Sequence, residues 1–197
     1  MKRTEIAVLF GLILSIILGS FSAFGLDCQN VSGEVLRLHI LANSDSREDQ
    51  ALKLSVRDAI LEHSPELFSA SKTLTDAIAE TERNLPQIKK IAEEKIKESG
   101  FDYPVKVYIT KMPFETRKYE SVTLPAGDYT ALRIEIGNAE GKNWWCVLFP
   151  ALCIGAAKGG AELSNVLSES EFDIVTKPKF EAKFAIVELI ERLKKSH

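Results

Sequence analysis

The sequence predicts an α+β fold: a two-layer domain whose sheet, about four-stranded and mostly antiparallel or mixed, carries helices packed on one face. Three observations point there. Three segments alternate apolar and polar residues with a period of two, and a fourth, Asn143 to Phe149, is an apolar run. Two long segments, and a third near the end, repeat apolar residues at three- and four-residue spacing. The two kinds of segment are intermixed rather than strictly alternating. At 197 residues the chain has the length of one ordinary domain plus a short extension.

The extension is N-terminal. Lys2 and Arg3 precede Ile6 to Leu26, 21 positions without a charge, of which 15 are hydrophobic. Small residues then gather at Gly19, Ser20, Ser22, Ala23 and Gly25. Residues 1–25 therefore have the layout of a secretory signal peptide, with cleavage after Ser22 or after Gly25. The same stretch is long enough to remain as an uncleaved membrane anchor. Asp27 occupies the place of the small residue that precedes a lipidated cysteine, which argues against a lipid on Cys28. Both readings leave the positive end inside and make residues 26–197 a single exported domain.

The first strand is Val35 to Leu41, with Leu36, Leu38 and Ile40 on one face and Arg37 and His39 on the other, polar face. Asn43-Ser44-Asp45-Ser46 reads as a turn, and Ser46 with Asp49 fits a capping box. Leu52, Val56, Ala59 and Ile60 continue as a helix that Ser64-Pro65 stops. From Ser71 to Ser99 a stripe of Leu74, Ile78, Thr81, Leu85, Ile88, Ala92 and Ile96 predicts two helices, or one kinked helix, around Pro86, ended by Gly100. Val105, Val107 and Ile109 form the next strand, with a loop expected at Met112 to Phe114 and a turn at Pro125 to Asp128. Tyr129 to Ile136 alternates again, with Leu132, Ile134 and Ile136 inward. Gly137 to Gly141 reads as a hairpin connection into Asn143 to Phe149, which would pair those last two strands antiparallel; one parallel pairing is allowed elsewhere. Gly155 to Ser170 reads as a loop with a short helical turn at Ala161 to Leu167, and Lys179 to Lys195 as a final helix built on Phe180, Phe184, Val187 and Ile190.

Composition narrows the function. Acidic residues (28) outnumber basic ones (25), which argues against a nucleic-acid partner. A single long apolar segment argues against a multi-span membrane protein. No phosphate loop, dinucleotide fingerprint or His-Glu-x-x-His occurs, and His39, His63 and His197 are too far apart in sequence to suggest a metal site. No cofactor is implied. Outside the cytoplasm a disulfide persists. Cys146 and Cys153 flank Pro150, and a bond between them would be worth roughly 2–3 kcal/mol. Two buried free thiols fit the same residues, as does a Cys146 nucleophile served by His39 or His63, although no family signature surrounds it. Trp144 and Trp145 are adjacent strand residues, so one enters the core and the other faces solvent, a partner or a covering element.

Three stretches carry a resemblance. Val35-Leu36-Arg37-Leu38-His39-Ile40-Leu41-Ala42-Asn43-Ser44-Asp45-Ser46, continuing from Asp49 to Ala59, resembles the opening signature of the stage II sporulation protein R family. Leu124-Pro125-Ala126-Gly127-Asp128-Tyr129 and Asn143-Trp144-Trp145-Cys146-Val147-Leu148-Phe149-Pro150-Ala151-Leu152-Cys153 resemble its other two. The match runs over about residues 33 to 154, with Ala151 standing where a second proline is expected.

The resemblance implies a signal rather than an enzyme. Such proteins are made in the forespore of endospore-forming bacteria and secreted into the septal intermembrane space. There they activate a membrane-embedded aspartic protease of the mother cell, which removes the pro-sequence of the sigma-E precursor. No catalytic residues carry over. The expected partner-binding residues are Arg37, His39, Asn43, Ser44 and Asp45 with one of Trp144 and Trp145. Two other readings of the residues are an exported thiol hydrolase using Cys146 and His39, and a structural module binding the cell envelope.

Overall fold

The computed structural model describes residues 3–67, 71–119, 122–150, 163–177 and 183–189. Helix α1 (Arg3–Gly33) leads into strand β1 (Leu36–Leu41). Helices α2 (Arg47–Glu62), α3 (Ser64–Leu67) and α4 (Leu74–Glu98) follow. Strands β2 (Val105–Phe114), β3 (Arg117–Tyr119), β4 (Val122–Leu124), β5 (Gly127–Ile136) and β6 (Asn143–Phe149) come next, and then helix α5 (Glu169–Thr176). Residues 183–189 are helical as well, so the expected final helix lies only partly within the described residues.

The predicted α+β class holds, with a four-stranded mixed sheet in the order β2-β5-β1-β6. The expected β5–β6 hairpin does not form. β1 lies between the two, parallel to β5 (Leu38 opposite Leu132) and antiparallel to β6 (Leu38 opposite Cys146). Its six residues are all buried, so the most buried strand of the sheet takes the centre. The crossover that a parallel pair needs is supplied by α2 to α4 and β2. The segment between β5 and β6 steps across the end of β1, with Gly141 N–H donating to the Ala42 carbonyl at 2.9 Å and Glu140 N–H to that of Asn43 at 3.2 Å.

One sheet face holds the larger core: Leu36, Leu38, Ile40, Leu132, Ile134 and Ile136 meet Leu52, Val56 and Ile60 of α2 and Ile88, Ala92 and Ile96 of α4. α4 runs through Pro86 as a single helix, so of the two alternatives the unbroken one is realised. Pro86 removes one helix donor, but the buried stripe from Ala77 to Ile96 continues on both sides of it. Gly100, at φ +84°, reverses the chain, and Phe101 N–H reaches the Ile96 carbonyl at 3.1 Å.

The second sheet face is covered too, where helices were expected on one face only. Val31 and Val35, Phe114, the short β3–β4 ladder (Val122, Leu124), and Leu167 and Val175 around α5 pack over Tyr129, Ala131 and Val147. Sequence reading missed β3, β4 and α5. It also ended β2 too early: the strand continues to Phe114 through Pro113, which an edge strand tolerates. α5 is opened by Ser168 and Glu171 in a reciprocal capping box; Ser168 lies inside the stretch read as loop and Glu171 just beyond it.

Candidate functional site

Arg37 and His39 project from β1 toward the second face. They were expected on an exposed polar face; that expectation is overturned, since Arg37 is 0% exposed and His39 2%. The cause is the cover just described. The Arg37 guanidinium lies 4.1 Å from the Phe114 ring centroid and 4.9 Å from that of Tyr129, and Nη2 donates to the Tyr119 hydroxyl. Nε and Nη1 are buried without a hydrogen-bond partner among the described residues. Aromatic faces attract a cation, yet they satisfy no N–H. Burial accordingly pushes the Arg37 pKa down from its usual value.

His39 stacks on Trp145 with ring centroids 3.9 Å apart, and Phe114 meets both rings edge-on. Its Nε2 lies 3.0 Å from Asn143 Oδ1. That oxygen accepts, so Nε2 carries the proton and Nδ1 is left a bare buried acceptor. Burial lowers the His39 pKa to about 4 despite the Asn143 bond, and the ring is neutral at pH 7.

Asn43, Ser44 and Asp45 form a lock between the β1–α2 turn and the β5–β6 connection. Asn43 Nδ2 and Ser44 Oγ donate to Asp49 Oδ2 at 2.8 and 2.5 Å, while Asn43 Oδ1 accepts from Asn138 N–H at 2.9 Å. Asp45 Oδ1 accepts from Lys142 N–H at 2.6 Å. Lys53 Nζ joins in, donating to Gln50 Oε1 at 2.6 Å and the Lys142 carbonyl at 2.9 Å. Ser46 caps α2 as expected, accepting from Asp49 N–H, but the Asp49 carboxylate turns to the lock instead of closing a capping box. Burial opposes its charge. Hydrogen bonds from Ser44, Asn43, Tyr103 and Ser46 outweigh that and hold the carboxyl below its ordinary range. The glycines of the connection are sterically required: a Cβ on Gly137 (φ +59°) would sit 2.3 Å from Asn43 Oδ1, and one on Gly141 2.1 Å from the Ser44 carbonyl oxygen.

Trp144 and Trp145 are both half-buried, on opposite faces. Trp144 packs against the larger core under Arg57, 4.2 Å from the ring. Trp145 borders an open cleft of about 270 Å³ with Pro113, Phe114, Glu115, Arg117 and Asn143. The Arg117 guanidinium stands 5.4 Å from its ring. Of the residues singled out by sequence, the structure thus groups His39 and Trp145 at one cleft, buries Arg37 behind it and commits Asn43, Ser44 and Asp45 to the neighbouring turn.

The geometry speaks against the hydrolase reading. Cys146 lies in the core with Leu36 and Leu38, whereas His39 lies on the other face with Trp145. Cys146 is also disulfide-bonded, so it has no thiolate to attack with. Cys153, its expected partner, lies outside the described residues; Cys28 is a buried free thiol. No cluster of His, Cys, Asp and Glu able to hold a metal ion occurs among the described residues. Sequence reasoning missed Phe114, Arg117, Tyr119 and Asn143 as site residues. Only Asn143, at the head of the Trp-Trp-Cys stretch, carried a signal that could have found it.

Comparison with known proteins places these features in context. The family model described as Stage II sporulation protein R (spore_II_R) matches residues 32–158. That segment contains β1 to β6, the turn lock and the cleft. The chain is 42% identical over 127 residues to the Stage II sporulation protein R of Bacillus subtilis (strain 168), a match covering 62% of this chain and 55% of that protein. The chain thus spans about half the length of the curated relative it matches. No solved structure matches it.

Proposed function

Since the chain belongs to the stage II sporulation protein R family, we propose that it acts as an exported signal of endospore formation, secreted from the forespore into the septal intermembrane space, that activates a membrane-embedded aspartic protease of the mother cell. The activated protease then processes the sigma-E precursor. The observation that carries this reading is the family match across the whole sheet and its turn lock. The apolar α1, one helix of sufficient length and hydropathy to cross a membrane, agrees with an address or anchor.

A protein that activates without catalysing works by binding the active state of its target better than the inactive one. The surface proposed for that contact is the rim of the cleft: Trp145, Asn143 and Arg117, with exposed Asp45 beside it. Arg37 and His39 contribute from beneath, by holding Phe114 and Trp145 in place. A half-buried tryptophan flanked by an arginine matches the residue types that dominate protein contacts.

The test is reconstitution in a non-sporulating host that makes the protease and the sigma-E precursor. Precursor cleavage should require co-expression of this chain, and Trp145→Ala should abolish cleavage while the protein is still exported and folded. Cleavage in the absence of the chain would overturn the reading.

A further inference from the structure

α1 does two jobs along one unbroken helix. From Ile6 to Phe21 the large apolar side chains that are described face outward, Val8 at 72% exposure and Phe21 at 37%. Burial against the domain starts at Phe24 (3% exposed) and continues with Cys28 and Val31. A hydrocarbon core takes up about 20 helical residues. The part of α1 suited to lipid therefore ends where the part gripped by the domain begins. Only Ser22 and Ala23 lie between Phe21 and Phe24, and both are helical. With no linker, the folded body cannot stand away from a bilayer that holds α1.

The helical segment 183–189 lies at this same level. Phe184 packs on Phe24, ring centroids 5.6 Å apart, and Val187 joins the cluster they form with Cys28 and Ile174. Its other side turns Ile186 (41%) and Leu189 (58%) outward. Ile186 and Val187 border one groove of about 920 Å³ with Phe21, Ser22 and Leu26 of α1; Lys111 and Asp128 close its far side. Leu26 is itself 61% exposed. Two elements distant in sequence thus present bare apolar side chains beside the end of a membrane-compatible helix. Lys183 Nζ sits 5.3 Å from the Phe24 ring, where a long cationic side chain can lie along apolar surface and keep its charge at headgroup depth.

We propose that segment 183–189 and the Phe21–Leu26 stretch of α1 form a seat on the lipid surface of the membrane that holds α1, with Leu26, Ile186 and Leu189 entering the boundary between headgroups and acyl chains. The occupant is that bilayer, entered by apolar side chains; Asp128 stands beside Lys111 at the groove, so the seat rests on apolar insertion rather than on headgroup charge. The inference rests on the anchored form of the exported protein proposed above and specifies how the domain is held there. Seated in this way, the domain is held on the membrane it was exported across, and a target embedded in the mother-cell membrane is met across the intermembrane space.

The test uses the full chain in vesicles of equal parts phosphatidylcholine and phosphatidylglycerol. An environment-sensitive fluorophore is placed on a single cysteine in a Cys28→Ala background. The positions are Leu189→Cys or Ile186→Cys in the seat, Leu12→Cys in α1 and Glu94→Cys on α4, which packs on the opposite sheet face. Nitroxide-labelled lipid should quench the label at 189 and at 186 several-fold more than at 94, and the label at 12 at least as strongly. A label at 189 and 186 quenched no more than at 94, with 12 quenched, overturns the seat and leaves the anchor. A label at 12 that is not quenched overturns seat and anchor together, and the reconstituted cleavage assay then reports separately on signalling.

Discussion

His39 makes the fold sensitive to mild acid. Its ring is packed between Trp145 and Phe114 with Nδ1 unpaired, and its pKa is lowered from 6.5 to about 4, chiefly by burial. Between those values the unfolded chain binds a proton that the folded one refuses. Stability therefore rises with pH across the window. It is fully present above pH 6.5 and is lost as the pH falls toward 4. A pKa lowered by this much corresponds to about 3 kcal/mol, of which about 1 kcal/mol is already gone at pH 5.5. Asp49 adds its own loss lower down, because a depressed carboxyl gives up stability only as the pH falls below the ordinary carboxylate range. The assay is urea unfolding of the full chain in detergent micelles between pH 7.5 and 4.5, beside His39→Phe, which keeps an aromatic ring against Trp145 and cannot titrate. The wild type should lose stability on acidification and His39→Phe should stay nearly flat down to pH 5. Parallel curves, or an NMR titration of His39 with a midpoint near 6.5, would refute the reasoning.

The remaining expectations concern single substitutions, read by the same unfolding assay. Arg37→Met should be neutral or stabilising by about 1–2 kcal/mol, because relieving two unpaired buried donors offsets the lost cation–π attraction; a loss above about 2 kcal/mol would mean that something pairs the guanidinium. Gly141→Ala should cost about 3 kcal/mol or more, since its Cβ would meet the Ser44 carbonyl at 2.1 Å; an unchanged urea midpoint counts against the lock. Asp49→Ala should cost about 2–4 kcal/mol by leaving Asn43 and Ser44 without their acceptor, and should raise amide exchange at Asn138 and Lys142. Phe24→Ala should cost about 3 kcal/mol if the lower end of α1 belongs to the domain; a silent substitution would assign Phe24 to the membrane segment alone.

Much of the framework was legible because its signals are local. The alternation in Val35–Leu41, the Ser46 cap and the stripe from Leu74 to Ile96 each report their own element, and each element is present. Pairing was not local. Gly137 to Gly141 has the composition of a hairpin turn, yet β1, buried along its whole length, takes the place between the two strands it joins. Arg37 and His39 misled for a related reason. Alternation shows which side chains share a face, not whether that face is wet. Here the cover comes from β3, β4 and α5, which are short and carry almost no periodicity. The cleft draws Arg117 from β3 and Phe114 from the end of β2 that was read as loop, so its composition could not be read before those elements were seen.

The central position of β1 also sets a schedule. Leu36 pairs with Thr130 on one side and Phe149 on the other, so the first strand of the sheet to be made waits for its last. Neither the turn lock nor the Trp145 cleft exists before Lys142 to Trp145 arrive, because both are built across that seam. Contacts so distant along the chain form late and slowly. On the function proposed above, a chain exported only in part would carry no signal, because the surface is complete only once residue 149 has crossed, and the topology itself would separate attempted delivery from completed delivery.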